Sequence, residues 1–299
     1  MPHTVVVINP ISGPKRRGTG AHRVEVAERT LAQLGVEGEV RVTERGGHAH
    51  ELSLDAAASG ADLVIGWGGD GTINEVARAL VQHGDAGVPT AALGIIPGGS
   101  GNGLARELRI PFDPAQAIER AVRAKARVID AGQLGEHLFF NVAGIGLDAH
   151  VAALVTTRIR HRGLLPYLKA SASDLIHYQP IDYSLVVDGA PTQTTAIVLA
   201  FANSRQWGFG AQIAPRADLS DGLLDFVAVS DRGFFGNMIR VPALFTKRIE
   251  GQRGIESRRV REVTIRSREP MLFHVDGEAV QGSDTLVARV HPAALRLRA

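Results

Sequence analysis

Hydrophobic and polar positions follow a regular rhythm in the first third of the chain. Short apolar runs of strand length are each followed by a stretch whose apolar residues recur at helical spacing, and Gly35 and Gly84 end two of these stretches. The predicted strands are residues 4–9, 39–42, 62–67 and 91–96, and the predicted helices are residues 19–34, 48–58, 73–83 and a stretch ending near residue 108. This alternation predicts parallel βαβ units in an open, doubly wound α/β sheet.

The rhythm changes near residue 127. Asp-Gly turn signals at Asp188-Gly189, Asp221-Gly222 and Asp276-Gly277 now separate several short β-rich runs, which favours antiparallel pairing. These runs are residues 128–131, 138–142, 184–187, 196–202, 224–229, 263–265, 271–275 and 285–290, with a helical insertion near residues 147–177. We therefore predict an α/β domain over residues 1–127 and a mostly β domain over residues 128–299, whose last strand returns toward the first domain.

Two glycine-rich turns stand where predicted strands end and helices begin. The first reads Gly68-Gly69-Asp70-Gly71-Thr72, and the second spans residues 97–103. Glycine lets backbone N–H groups approach an anion closely, and a helix N-terminus carries partial positive charge. A single such turn is equally well a tight strand-to-helix connection with an Asx turn. Two of them, one βα unit apart, predict a nucleotide site at the carboxyl ends of the strands.

Two further details refine this site. Thr72 and Glu75 have the spacing of a capping box, which predicts that Thr72 caps the helix and that Glu75 reaches back to the N–H of the cap residue. Neither turn contains the Gly-Lys-Ser/Thr of a P-loop, so no P-loop lysine is present to contact phosphates. Backbone dipoles, Mg²⁺ and other side chains must then neutralise the phosphate charge.

Composition restricts the classes of protein that remain. With 44% hydrophobic and 21% charged residues among 299, the chain has the composition of a soluble globular protein. It has no cysteine, which excludes disulfides, thiolate metal sites and a cysteine nucleophile. No apolar run reaches the roughly 18 residues of a membrane span. The first residues lack a secretory leader, so a cytoplasmic location is expected.

The net charge is only +2, but the positive residues are clustered. One cluster comprises Arg158, Arg160, His161, Arg162 and Lys169, and the other comprises Lys247, Arg248, Arg253, Arg258, Arg259 and Arg261. Each cluster is either a solvated face or a surface attracted to anionic lipid headgroups. Nucleic acid is not an expected partner, because aromatic residues make up only 5% of the chain and no nucleic-acid-binding motif accompanies the charge.

The motifs occur in an order that resembles a known superfamily. Residues 9–13 (Asn-Pro-Ile-Ser-Gly), 68–76 and 97–102 resemble the three signatures of the diacylglycerol kinase and sphingosine kinase lipid kinases. The resemblance continues through residues 141–148, residues 214–225 and Asp276-Gly277-Glu278, and so spans almost the whole chain. It implies a nucleotide domain followed by a β-sandwich-like domain, with the active site in the cleft between them.

The resemblance also implies ligands for the cofactors ATP and Mg²⁺. The positions implied for ATP are Asn9, Thr43, Gly68, Gly69, Asp70, Gly71, Thr72, Glu75, Ser100 and Asn102. A structural Mg²⁺ in some relatives implies a site formed by Asp218, Asp221 and the carbonyl of Leu223, although Asp221-Gly222 is equally well only a turn.

Phosphoryl transfer to a hydroxyl needs a carboxylate that accepts the proton, and the choice between Asp276 and Asp70 stays open, with Glu278 as a further catalytic candidate. The resemblance implies Asp276 as the general base in bacterial members and Asp70 in the sphingosine kinase branch, and Glu278 lies next to Asp276 in the same motif. Asp148 either contacts the headgroup of the acceptor lipid or caps the helix that follows it. His274 is expected to be structural.

The sequence therefore predicts an ATP- and Mg²⁺-dependent lipid kinase that phosphorylates a diacylglycerol-like lipid in phospholipid biosynthesis. Alternatives, in order, are a sphingoid or ceramide kinase, an NAD kinase and a catalytically silent, nucleotide-gated membrane-binding protein. The sequence Gly-Ser-Gly-Asn-Gly at residues 99–103 resembles the sphingosine kinase branch more than the diacylglycerol kinases. Partners are the lipid at a membrane surface, with peripheral membrane contact, and a second copy in a homodimer. The apolar residues 234–245 form either a lipid-facing helix or, as the favoured expectation, a core helix.

Overall fold

The computed structural model describes residues 3–13, 19–84, 91–157, 178–208 and 210–299. The chain divides into two compact units, one formed by Met1–Ile129 with Ala293–Ala299 and the other by Asp130–Pro292. The first predicted basic cluster and residues 158–177 of the predicted helical insertion lie outside the described residues. Among the residues described, no helix is long and apolar enough to cross a membrane.

The first unit is built on a parallel sheet with strand order β2-β1-β3-β4. Its elements are β1 (Thr4–Ile8), α1 (Thr19–Leu34), β2 (Gly38–Val42), α2 (His48–Ala58), β3 (Leu63–Gly68), α3 (Asp70–His83), β4 (Ala92–Pro97), α4 (Gly103–Glu107) and α5 (Pro114–Arg123). Every residue of β1, β3 and β4 is buried, as expected for strands covered on both faces. Near the chain end, Leu297 pairs in parallel with Leu93 of β4. The predicted doubly wound α/β fold is confirmed.

Two helices of this unit differ from the prediction. α3 begins at Asp70, three residues before the predicted start, because the first glycine turn itself enters the helix. α5 was not predicted, although Asp113 caps it by accepting a hydrogen bond from Gln116 N at 2.9 Å and Pro114 stands at its first position. Its buried positions are two alanines and one isoleucine, which give a weak signal in the sequence.

The second unit contains antiparallel sheets. Its strands are β5 (Arg127–Leu134), β6 (His137–Phe139), β7 (Val142–Gly146), β8 (Ile181–Val187), β9 (Ala190–Ala196), β10 (Val198–Ala202), β11 (Gln206–Gly208), β12 (Ala211–Gln212), β13 (Leu224–Val229), β14 (Ile255–Val260), β15 (Glu262–Arg266), β16 (Leu272–Val275), β17 (Glu278–Gln281) and β18 (Thr285–Leu297), and its helices are α6 (Leu147–Thr157) and α7 (Gly233–Phe245). One sheet has the order β14-β13-β10-β7-β16-β17, and in the other β18, β15, β8 and β9 are successive neighbours.

The core of the second unit lies between these sheets. Tyr183 and Leu185 of β8 pack in one buried cluster with Phe201 of β10, Phe226 of β13 and Phe273 of β16. Alternate residues of each strand supply this cluster, as in a β-sandwich, and the predicted β-sandwich-like architecture is confirmed.

The structure also corrects the sequence prediction in this unit. β9, β14 and β17 were not predicted, because they are polar and largely exposed strands without an apolar run. The stretch 234–245 was expected to be a core helix, and this is wrong for one face of α7: Phe235 is 80% exposed and Ile239 is 77% exposed.

Candidate active site

In the first unit, β1 and β3 are the neighbours at which the strand order reverses, the usual ligand position in an open α/β sheet. Asn9 follows β1 directly, and its backbone N–H donates to the carbonyl of Trp67 at 2.9 Å. Its side-chain Nδ2 donates to Thr72 Oγ1 at 2.9 Å. The first two predicted signature motifs therefore meet at the carboxyl ends of these strands.

The two glycine turns are in direct backbone contact. Gly98 N–H donates to the carbonyl of Gly68 at 2.7 Å. A Cβ added to Gly99 would lie 2.5 Å from Gly69 Cα, which no real side chain tolerates. Glycine is needed at both positions because the two turns pass within van der Waals contact of each other.

Asp70 joins the same two turns through its side chain. Its carboxylate oxygens accept hydrogen bonds from Asn102 N–H at 2.8 Å and Gly103 N–H at 2.6 Å, at the start of α4. A Cβ on Gly101 would lie 2.7 Å from Asp70 Oδ2, so glycine at this position of the second turn leaves room for the carboxylate. In this geometry Asp70 holds the two turns together.

Asn102 closes the second turn. It adopts a left-handed conformation with φ 52°, and its side-chain amide exchanges two hydrogen bonds with the backbone of Gly99, at 2.8 Å and 2.6 Å. Ser100 is half-buried at the tip of the turn, and its hydroxyl has no hydrogen-bond partner among the described residues. The structure thus gives Asn102 a structural role and presents Ser100 for contact with a ligand.

The N-terminus of α3 supplies the anion-binding feature. The carbonyl of Gly69 receives the first helical hydrogen bond, from Ile73 N–H at 3.0 Å, so the N–H groups of the first turn have no acceptor within the helix. A Cβ on Gly71 would meet no atom within 4 Å, so this side of the turn is open. The partial positive charge of a helix end and an open glycine surface together fit the phosphates of a nucleotide.

The predicted capping box is wrong. Because α3 begins at Asp70, Gly69 takes the cap position, and Thr72 lies inside the helix, where its hydroxyl accepts from Asn9. The two oxygens of Glu75 instead accept hydrogen bonds from Gly47 N–H and Ala49 N–H, each at 3.1 Å, at the start of α2. Glu75 therefore caps a neighbouring helix.

Thr43 lies beside Asn9 at the same edge of the sheet. Thr43 is buried immediately after β2, and its N–H donates to the carbonyl of Ile8 in β1 at 2.8 Å. The structure thus brings Thr43, Asn9, Thr72, residues 68–71 and Ser100 to one region of the first unit.

Arg23 is a site residue that was not predicted. Its buried guanidinium donates to the carbonyl of Asn9 at 2.6 Å and to Ser12 Oγ and Ser12 O at 2.7 Å each, and it lies 5.4 Å from the centre of the Trp67 ring. Burial lowers the pKa of Arg23. The side chain fixes the Asn-Pro-Ile-Ser-Gly loop, whose Gly13 faces the carbonyl of Gly98 so closely that a Cβ would lie 2.5 Å from it. The sequence signal that could have predicted this role is the position of Arg23 on the largely apolar face of α1.

In the second unit, Asp276 and Gly277 form a two-residue hairpin turn between β16 and β17. Both have positive φ, 48° and 86°, as a type I′ turn requires. Asp276 Oδ1 accepts from Asn141 N–H at 2.9 Å and Val142 N–H at 3.0 Å, and Oδ2 accepts from Phe140 N–H at 3.0 Å. Three backbone donors therefore fix the position of this carboxylate.

The segment that holds Asp276 is itself tightly held. Asn141 Nδ2 donates to the carbonyl of Gln206 at 2.7 Å, Asn141 Oδ1 accepts from Ser204 Oγ, and Asn141 O accepts from Asn203 N–H at 3.0 Å. Asn203 Nδ2 in turn donates to the carbonyl of Phe140 at 3.0 Å. Asn141 and Asn203 are thus positioning residues for Asp276.

Asp148 forms a buried pair with His274. Asp148 Oδ2 lies 3.1 Å from His274 Nε2, and Asp148 Oδ1 accepts from Ala149 N–H at 2.9 Å in the first turn of α6. Gly144 lies directly beneath the pair, and a Cβ there would clash with the Asp148 carboxylate. His274 Nδ1 accepts from Gly277 N–H at 3.4 Å, so the histidine links Asp148 to the hairpin turn.

Two tyrosines surround this pair. Burial, together with the negative charge of Asp148, raises the pKa of Tyr178 to about 12. Burial also raises the pKa of Tyr183, whose hydroxyl is buried and has no hydrogen-bond partner in the described part of the chain. The surroundings of Asp148 are therefore buried, and they contain a tyrosine hydroxyl without a partner among the described residues.

Glu278 differs from the other two candidate bases. It is the first residue after the turn, it is exposed, and its side chain has no hydrogen-bond or ion-pair partner among the residues described. Asp70 and Asp276, by contrast, each accept backbone hydrogen bonds on both oxygens. The geometry thus distinguishes one accessible carboxylate from two held ones.

The predicted metal ligands lie in one loop before β13. Asp218 Oδ1 accepts from Ser220 N–H and Oγ at 3.0 and 2.9 Å. Asp221 Oδ1 accepts from Leu223 N–H at 3.1 Å, and Oδ2 lies 3.7 Å from Arg259. Within the described ranges, no group of three or more histidine or carboxylate side chains is placed to hold a metal ion. Asp218 and Asp221 thus accept hydrogen bonds within their own turns, and a role for them as metal ligands stays a prediction.

Two family models together match nearly the whole chain. Residues 3–134 match the model of the diacylglycerol kinase catalytic domain, and residues 141–299 match that of the YegS C-terminal NAD kinase beta sandwich-like domain.

Curated relatives and a solved structure agree with these matches. The "Probable lipid kinase YegS-like" protein of Yersinia enterocolitica is 30% identical, over 100% of this chain and 97% of its own length. That of Klebsiella pneumoniae is 32% identical over 94% of this chain and 93% of its own length. A solved structure described as "a putative diacylglycerol kinase from Bacillus anthracis str. Sterne" has a TM-score of 0.81 at 21% identity, covering 99% of this chain and 94% of that one. The last comparison concerns the fold alone.

Proposed function

This chain belongs to the family of lipid kinases that carry a diacylglycerol kinase catalytic domain followed by a YegS-type C-terminal domain, and we propose that it transfers the γ-phosphoryl group of ATP, with Mg²⁺, to a hydroxyl of a diacylglycerol-like lipid. The observation that carries the nucleotide part of this proposal is the pair of joined glycine turns at the N-terminus of α3. The proposal that the acceptor is a lipid hydroxyl rests on membership of this family.

The first unit would hold ATP through groups already in place. The open N-terminus of α3 faces phosphate, while Asn9 and Thr43 stand at the adjacent strand ends and the Ser100 hydroxyl stands at the second turn. Bound ATP supplies the phosphoryl group. Asp70 keeps the two turns in register, so we assign it a positioning role and not that of the general base.

We assign the proton acceptor to Glu278. A general base must reach the hydroxyl that attacks, and Glu278 is the accessible carboxylate of the Asp276-Gly277-Glu278 motif. Asp276 is held by three backbone donors, so it fixes the turn on which Glu278 stands. Asp148 is buried and both its oxygens are bonded, so we assign it a positioning role through His274, which contacts the hairpin turn.

We propose that Mg²⁺ enters with ATP, because the reaction moves phosphate charge and the turns lack a P-loop lysine. No step is assigned to Asp218, Asp221 and Leu223. A structural cation at these residues stays a proposal, and its test is a melting-temperature titration with MgCl₂ in wild type and in Asp218→Asn. A rise in wild type that the variant lacks supports this site.

The function is tested by transfer from radiolabelled ATP, with Mg²⁺ or with excess EDTA. The acceptors are diacylglycerol, monoacylglycerol, sphingosine, ceramide, phosphatidylglycerol and NAD, each in mixed micelles or in solution. We expect Mg²⁺-dependent label in phosphatidic acid, and a mock preparation from cells that do not express this chain controls for contaminating kinases. Label in sphingosine or ceramide alone moves the assignment to the sphingoid branch, and label in NAD alone overturns the lipid proposal.

A further inference from the structure

Helix α7 of the second unit has its apolar and polar faces reversed. Phe235 and Ile239 are four residues apart, and Pro242 follows three residues later, a spacing that places all three on one helical face. Phe235 is 80% exposed, Ile239 is 77% exposed and Pro242 is also exposed. A helix that packs on a protein core normally presents such residues inward.

The inward face of α7 is partly polar. Asn237 and Arg240 are buried there, together with Ala243. Arg240 donates to the carbonyls of Ser230 at 2.8 Å and Arg253 at 2.6 Å, and burial lowers its pKa. Asn237 Nδ2 donates to Asp231 Oδ1 at 2.6 Å. These hydrogen bonds fix the rotation of the helix, so the exposure of Phe235 and Ile239 is built into the fold.

Positive charge stands at both ends of this exposed face. Arg232 precedes the helix, and Lys247 and Arg248 follow it; all three are exposed. None of the three forms an ion pair with any residue that the structure describes. An apolar strip with cationic ends is the pattern of a helix that lies in the plane of a bilayer interface, with its apolar side chains among the acyl chains and its charges at anionic headgroups.

We propose that the outer face of α7, formed by Phe235, Ile239 and Pro242 between Arg232 and Lys247-Arg248, docks the enzyme on an anionic lipid surface. The proposal rests on the family's action on lipid and goes beyond the chemistry assigned above. A second protein copy would also cover an apolar strip, but the same cations would then face one another across a symmetric contact. Anionic lipid satisfies both the apolar strip and the charges.

The first test uses the absence of cysteine from the chain. Ile239→Cys is labelled with an environment-sensitive dye, and Val186→Cys, on the exposed side of β8, is the matched control. Vesicles contain either phosphatidylcholine alone or equal parts of phosphatidylcholine and phosphatidylglycerol, and no nucleotide is present. We expect a blue shift and brightening at position 239 with anionic vesicles, and no change at position 186.

The second test removes the apolar strip and the charges separately. The double substitution Phe235→Ser with Ile239→Ser should weaken sedimentation with anionic vesicles by about tenfold or more, because the apolar area buried in lipid is lost. Lys247→Glu with Arg248→Glu should weaken it by a similar factor, and added salt should reduce wild-type binding. Both variants should keep the wild-type melting temperature and the wild-type rate on a short-chain, monomeric acceptor.

Three results would overturn the proposal. One is a dye at position 239 that does not respond to anionic vesicles, and another is a Phe235→Ser, Ile239→Ser variant that sediments like wild type. The third is a dye response that follows protein concentration without vesicles, which assigns the face to a second copy. Because the vesicle measurements need no turnover, they succeed or fail independently of the proposed reaction.

Discussion

Two hairpin turns of the second unit have the same sequence and nearly the same backbone. Val187-Asp188-Gly189 joins β8 to β9, and Val275-Asp276-Gly277 joins β16 to β17. The φ angles are 46° and 86° in the first turn and 48° and 86° in the second. Local sequence alone sets this conformation, because Asp-Gly accepts the two positive φ angles of a type I′ turn.

Even the anchoring of the aspartates is shared. Asp188 Oδ1 accepts from Arg261 N–H and Glu262 N–H, each at 2.9 Å, much as Asp276 accepts from residues 140–142. A carboxylate held by backbone donors is therefore not by itself a sign of catalysis. What differs is the flanks: Glu278 against Ala190 after the turn, and buried His274 against exposed Val186 before it. The comparison teaches that the turn is a scaffold and that the flanking residues carry its chemistry.

The largest effect should come from Glu278→Gln. Loss of a proton acceptor lowers kcat by roughly 10²–10⁴-fold. The side chain is exposed and has no partner among the described residues, so the melting temperature should not change. Steady-state kinetics and thermal unfolding measure the two quantities. Ala190→Glu, which gives the other turn the same spelling, should leave both at wild-type values. A Glu278→Gln enzyme with the wild-type kcat would return the role of base to Asp276 or Asp70.

His274→Val gives the Asp276-Gly277 turn the residue that precedes the Asp188-Gly189 turn, where Val186 stands. It leaves the buried Asp148 side chain without its hydrogen-bond partner, which costs about 1–3 kcal/mol of unfolding free energy. Urea unfolding checks this, with Val186→His, at the exposed matched position, expected within about 0.5 kcal/mol of wild type.

His274→Gln separates packing from positioning. Its amide can donate toward Asp148 and should recover much of the stability, while the contact of His274 Nδ1 with Gly277 N–H is lost. We expect this variant to raise the KM for the acceptor more than it lowers kcat. Unchanged kinetics in a stable variant would reduce the pair to a structural one.

Asp276→Asn and Asp188→Asn compare the two anchors directly. Asp276→Asn replaces one of two accepting oxygens with an N–H group that faces a backbone N–H, which costs about 1–3 kcal/mol. Asp188→Asn keeps its accepting oxygen, because Arg261 N–H and Glu262 N–H both donate to Oδ1, and should cost less. Asp276→Asn should also lower kcat, since the turn that carries Glu278 shifts, whereas Asp188→Asn should retain full activity. Calorimetry and transfer assays on both proteins make the check. Equal loss of activity in the two variants would mean that global stability, and not the position of the turn, controls the rate.

The sequence was sufficient for what depends on near neighbours along the chain. Strand and helix periodicity predicted the α/β unit, and Asp-Gly predicted the hairpins at residues 188–189 and 276–277. Asp221-Gly222 lies in the loop before β13 and joins no pair of neighbouring strands in the part of the chain that the structure describes. It was insufficient where a partner lies far along the chain: Glu75 caps α2 instead of its own helix, and Asp276 is held by residues 134–136 positions away. Spacing gives no information about such contacts.

The sequence pattern also did not predict which apolar side chains of α7 are exposed. The apolar residues of α7 are compatible with a core helix, and only the buried hydrogen bonds of Asn237 and Arg240 turn Phe235 and Ile239 outward. The same limit applied to the three candidate bases. The sequence alone does not distinguish Asp70, Asp276 and Glu278. In the structure, Asp70 and Asp276 accept backbone hydrogen bonds, whereas Glu278 is exposed.

Gly277→Ala and Gly189→Ala should give the smallest effects and the closest match. Both glycines have φ 86°, and a Cβ at either would meet no atom within 4 Å, so only backbone strain is added, about 1 kcal/mol in each case. Equal losses of stability, measured by urea unfolding, would show that the turns are interchangeable as scaffolds. Only Gly277→Ala should also reduce kcat, by a few fold, because strain at this residue is relieved by moving its neighbour Glu278. If Gly189→Ala reduces kcat equally, the flanks do not distinguish the turns, and the assignment of Glu278 loses its structural basis.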